Sequence, residues 1–92
     1  MIETILREFD SYIDESIIKH KPSATGTKGS ISYVTNYLKS YGEEFIKCVE
    51  DSTEKSNEIL EEYNGVNELA LRDRLADSIR TIQEKFKKAH WS

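Results

Sequence analysis

One cysteine, one proline and four glycines are all the punctuation that 92 residues carry. A β-sandwich or barrel needs a turn about every ten residues, so this scarcity of turn-formers excludes both. The single Cys48 cannot close an internal disulfide; it reads as a small buried hydrophobe, and a lone thiol fits a reducing cytoplasm better than secretion. No apolar run approaches the ~20 residues that cross a bilayer, and the opening MIETILREFD is charged every few positions, unlike a signal peptide. The expectation is a soluble intracellular protein with no membrane partner.

There is no basic stripe either. Thirteen Lys and Arg stand against 17 Asp and Glu, a net charge of −4, which excludes long nucleic acid as a partner and is too mixed to imitate it. A small anion remains admissible, since two or three placed cations suffice. Catalytic constellations are missing: His20 and His90 stand alone near helix ends, no Cys/His/carboxylate cluster has metal-ligand spacing, and no serine sits in a nucleophile elbow. Glu43–Glu44 and Glu61–Glu62 are adjacent pairs, splayed around a helix as solubilising charge. The chain is therefore expected to be no enzyme and to hold neither metal nor cofactor.

What is present is helical patterning. Hydrophobic residues make up 37% and charged residues 33%, too apolar for disorder and suited to amphipathic helices. The predicted fold is all-α, one domain over 1–92, with helices at about 2–20, 31–51 and 67–90 and a short extra helical segment near 57–63. In the first, Ile2, Ile5, Leu6, Phe9, Ile13 and Ile17 recur at three- and four-residue steps, and Pro22 ends it. In the second, Ile31, Val34, Leu38, Tyr41, Phe45 and Cys48 form one seam, with Tyr33, Asn36, Lys39, Ser40, Glu43 and Lys47 opposite and Gly42 inside. Residues 52–58, STEKSNE, hold no apolar position, so this helix should fray or run solvated there. Asn64–Gly65 reads as a helix stop, and Asn67 as the cap of the third helix, whose stripe is Leu71, Leu75, Ile79, Ile82, Phe86 and Ala89.

A domain this small buries only about 60% of its unfolded surface, so self-association into an oligomeric helical bundle is expected. Trp91 would dock on its own chain or on a neighbour. The connector KPSATGTKGS combines two glycines, four hydroxyl residues and Lys28 just before a helix start capped by Ser30 or Ser32. That makes an anion site or a simple mobile connector.

The run Asn36-Tyr37-Leu38-Lys39-Ser40-Tyr41-Gly42-Glu43-Glu44-Phe45 resembles the asparagine–x–aliphatic–lysine–x–x–glycine–x–x–aliphatic pattern of the phage anti-CBASS cyclic-oligonucleotide sponges. Glu68-Leu69-Ala70-Leu71-Arg72-Asp73-Arg74-Leu75 is similar to that family's leucine-alanine-aliphatic segment with its following arginine; the two matches cover roughly residues 30–90. The resemblance implies a homo-oligomer, a hexamer of interlocked protomers, that sequesters cyclic dinucleotides between protomers and cyclic trinucleotides at separate sites. It maps the family's phosphate-contacting lysine onto Lys39 and its arginine onto Arg72 or Arg74. The family's base-stacking aromatic falls at Ala24, leaving Tyr33 or Tyr12 to supply a ring, with Thr25, Thr27, Lys28 and Ser30 as further contacts. The first helix is also longer than the family's. The competing expectation is a small helical interaction module, an inhibitor or adaptor, that presents one helix face to a host protein.

Overall fold

The computed structural model describes residues 2–91 and is all-helical, with no strand among the described residues. Helix α1 spans Ile2–Lys19, α2 Ile31–Glu62, α3 Glu68–Arg80 and α4 Ile82–His90. The last two follow on from one another with a local break at Thr81, across which the hydrogen-bond ladder continues. The Thr81 amide is shared between the carbonyls of Asp77 and Ser78, and its hydroxyl donates to Ser78 O at 2.6 Å. A hydroxyl competing for carbonyls of the preceding turn is a recognised cause of local helix distortion. No helix of the described chain is long and apolar enough to cross a membrane.

α2 runs antiparallel to the other helices. The end of α1 lies beside the middle of α2, where His20 Nε2 is 2.7 Å from Asp51 Oδ2 and Nδ1 is 3.4 Å from Glu44 Oε1. Glu3–Arg74, Asp14–Lys85 and the contact of His90 Nε2 with Ile17 O at 2.8 Å set α1 and α3–α4 side by side in the same direction. The core joins Leu6, Phe9, Ile13 and Ile17 to Cys48, Leu71, Leu75, Ile82 and Phe86. The stripes expected for α1 and for residues 67–90 are thus the ones that face the core, with Ile2, Ile5 and Ile79 half-buried at its edge and Ala89 exposed.

The boundaries expected for the second helix are overturned. In place of a stop near 51 and a separate segment at 57–63, one helix of 32 residues runs unbroken to Glu62. Ser52 and Ser56 face the core one and two turns beyond Cys48, and both are buried. Serine is small enough to be enclosed in a close-packed interior, so size rather than polarity admits it at these positions. The other end of the seam departs in the opposite sense: Ile31 is 86% exposed and Leu38 49%. Asn67 does not cap α3 through its side chain; it takes a left-handed conformation (φ 63°) and makes no cap hydrogen bond. Ser30, not Ser32, caps α2, its Oγ accepting from Tyr33 N at 3.0 Å. The helix stops before Asn64–Gly65: α2 ends at Glu62 with Tyr63 as its C-cap in an extended conformation, its amide donating to Leu60 O, and the Tyr63 phenol occupies the space a Cβ on Gly65 would need.

At 1.5 Å per residue α2 is about 48 Å long, against about 27 Å for α1. Its first three turns reach beyond the end of α1, accompanied by the connector and the end of α4, and stretch the molecule to 54 × 20 × 17 Å.

Candidate ligand-binding site

The overhanging start of α2 is lined on two sides. Along one, the connector runs back in extended form: Ser23 N donates to Ser40 Oγ at 2.9 Å, and Asn36 Nδ2 donates to Thr25 O at 3.5 Å. Along another lies the end of α4. Tyr37 donates its hydroxyl proton to His90 O, which brings Trp91 onto α2. Trp91 therefore docks on its own chain, against Tyr37 (centroids 5.9 Å) and edge-on to Tyr41 (5.5 Å). Tyr33 stacks beside Tyr37 at 6.5 Å, their planes 13° apart, which follows from a four-residue step along one helix. Tyr41 passes the cluster on to Phe86 in the core.

Lys28, Tyr33, Tyr37, His90 and Trp91 line one open cleft of about 400 Å³. That lies within the range of small-molecule sites. Burial, then the neighbouring ring of Tyr33, pushes the Tyr37 phenol above its ordinary pKa; burial, then Tyr37, does the same for Tyr41. Both phenols stay neutral and can donate hydrogen bonds at neutral pH. Gly26 and Gly29 hold left-handed conformations (φ 108° and 90°) that turn Lys28 toward the helix start. The amides of Ile31 and Ser32 belong to the donors that a helix start leaves unpaired.

Charge is sharply segregated. Residues 16–42 and 85–91 hold seven of the 13 cations and no acidic residue, leaving six cations with all 17 carboxylates elsewhere. These two segments meet at the overhanging end. Lys85 is paired there with Asp14, whereas Lys19, Lys21, Lys28, Lys39, Lys87 and Lys88 are exposed and in no ion pair among the described residues. The net charge of −4 conceals a basic, aromatic end on an acidic rod.

Of the residues singled out in the sequence, Lys28, Tyr33 and Ser30 come together here, with Thr25 and Thr27 on the adjoining connector. Ser30 spends its hydroxyl oxygen on the helix cap, and the Thr27 carbonyl accepts from Ser30 N at 3.1 Å. Lys39 does not join them within one chain: two residues beyond Tyr37, it points about 200° away around the helix. Tyr12 lies on the body of the rod with Lys55 Nζ 5.7 Å above its ring. Arg72 and Arg74 sit toward the far end, paired with Glu68 at 3.6 Å and Glu3 at 3.5 Å, and the cleft beside Arg72 also carries Glu61. His90, Trp91 and Tyr37 were not singled out as ligand contacts. The signal for them was the absence of Asp and Glu on both segments that meet here.

Among the described residues, no group of three or more His, Cys, Asp or Glu could hold a metal ion. Comparison with protein-family models, curated proteins and solved structures finds no match for this chain.

Proposed function

We propose that the protein is a non-catalytic binding module that sequesters cyclic di- and trinucleotides of the kind that signal in CBASS antiviral defence. Such a module lowers free messenger in the host cytoplasm without turnover, in proportion to its binding sites. The observation that carries this is the basic aromatic end of the rod. Tyr33, Tyr37 and Trp91 offer ring faces to a base, worth about 1–3 kcal/mol per stacked base. Lys28, with Lys87 and Lys88 near the same end, offers unpaired charge to phosphates. Assembly of several copies, up to the hexamer that the family resemblance implies, belongs to the same proposal and is the route by which Lys39 or an arginine of another copy reaches a shared ligand.

The test is thermal unfolding and titration calorimetry against a panel of cyclic di- and trinucleotides. A ligand at a hundred times its dissociation constant, bound only by the folded state, adds about 2.7 kcal/mol of stability. Lys28→Ala and Tyr33→Ala should each remove most of that shift, while Arg80→Ala, at an exposed arginine paired with Asp77, retains it. Wild-type protein that binds nothing across the panel overturns the proposal. The exposed apolar seam at Ile31, Val34 and Leu38 favours a second reading, a helical module that docks on a host protein; under it, the same panel gives no shift and the cleft is bare surface.

A further inference from the structure

The apolar seam of α2 does not stop where the bundle does. Ile31, Leu38, Gly42, Ile46 and Val49 fall along one side of the helix. Of these Ile31, Leu38 and Ile46 are exposed, at 86%, 49% and 58%. Val34, beside them, is 47% exposed. Nothing lies within 4 Å of where a Gly42 side chain would begin, so the backbone stands open on this face. On its rim stand Lys39 and, one turn on, Glu43, neither in an ion pair among the described residues.

From these features we infer that α2 pairs with α2 of a second copy, antiparallel about a two-fold axis level with Tyr41. Spacing and charge both favour this occupant. With that axis, Leu38 of one copy seats against the partner's Gly42 and Ile46, and Ile31 against the partner's Val49. The open side of Gly42 receives an aliphatic side chain that has no place to go in the monomer. Lys39 then faces the partner's Glu43, and symmetry forms that pair twice. More broadly, the acid-free stretch of α2 up to Gly42 lies on the partner's Glu43 and Glu50, whereas parallel pairing would set the basic ends on each other. The contact runs along about 30 Å of helix. A strip of that length and about 10 Å across covers roughly 300 Å² per partner, less than the roughly 800 Å² of standard interfaces, so a micromolar rather than nanomolar dimer is expected. The pairing gives a surface to the self-association in the proposed function but holds whether or not any nucleotide binds.

The test is the mass of the ligand-free protein by sedimentation equilibrium from nanomolar to submillimolar concentration. Wild type should pass from monomer to dimer. Leu38→Glu, which places a charge in the seam, should raise the dissociation constant about a hundredfold or more while far-UV circular dichroism stays unchanged. Lys39→Glu alone should weaken the dimer, and Lys39→Glu with Glu43→Lys should restore it. A larger assembly that collapses with Leu38→Glu keeps the pairing as its repeating contact. Three results overturn the inference: a monomer at every concentration, an assembly indifferent to Leu38→Glu, or a charge swap that fails to restore it. Because no ligand is present, none of them bears on the cleft at Lys28, whose failure would appear only in the nucleotide titrations.

Discussion

Ser52 offers a sharp test of how this core is built. It is 0% exposed, and its Oγ has no hydrogen-bond partner. A buried, unpaired hydroxyl costs about 1–3 kcal/mol, and alanine is the better helix former by up to about half a kcal/mol. Against these stands the void left by one oxygen atom, worth roughly half a kcal/mol. Ser52→Ala should therefore stabilise the fold by about 1 kcal/mol or somewhat more, raising Tm by about 4–8 °C for a domain of this size. Ser56 supplies the control one turn away. It is equally serine and also buried, at 6% exposure, but its Oγ donates to Thr53 O at 2.7 Å. Ser56→Ala loses that bond and should be neutral or destabilising by up to about 1 kcal/mol. Urea unfolding followed by circular dichroism, at a concentration where the protein is monomeric and with unchanged m-values, measures both. Should Ser52→Ala prove no more stable than Ser56→Ala, the idea that Ser52 was kept for size, at a cost in unpaired polarity, is wrong.

Two further outcomes follow from the same packing. Phe86 is fully buried, with Tyr41, Phe45 and His90 around its ring at 5.0, 5.6 and 4.6 Å between centroids. Phe86→Ala should cost about 3–5 kcal/mol, a large share of the stability of such a domain, and near-ultraviolet circular dichroism should report loss of fixed aromatic packing. Glu44 is held below the ordinary carboxyl pKa, first by the hydrogen bond from Lys47 at 3.2 Å, with His20 adding to it. A folded-state pKa below the unfolded one gives stability that is present above the unfolded value and is lost as pH falls through the folded one. Glu44→Gln should accordingly flatten the acid limb of a pH–stability curve and leave its neutral region parallel to wild type.

Helix identity was legible wherever aliphatic and aromatic side chains do the packing, which is why α1 and the 67–90 stripe stand where their spacing puts them. The reach of α2 through 52–62 was not, because its buried positions there are serines, and a hydrophobicity pattern cannot distinguish a serine facing a close neighbour from one facing water. Ile31, Val34 and Leu38 pose the converse problem: spacing shows that a seam exists but not whether the same chain covers it. At the candidate site, Lys28 and Tyr33 were visible through the loop and the helix start. His90 and Trp91 lie more than fifty residues from Tyr33, and only the fold brings them to it. His20 looked solitary for the same reason, its carboxylate partners being 24 and 31 residues away.

One helix that is core at one end and overhang at the other has two stabilities written along a single ladder of hydrogen bonds. Amides around Cys48 and Ser52 can exchange with solvent only when the bundle opens as a whole. Those of the first three turns can fray one at a time, held chiefly by the Ser30 cap, the connector and the rings around Trp91. Amide hydrogen exchange along α2 should thus rise steadily toward Ile31 in the isolated chain. Whatever settles on that end, be it a nucleotide or a second copy, would be recorded as slowed exchange there long before the midpoint of unfolding moved.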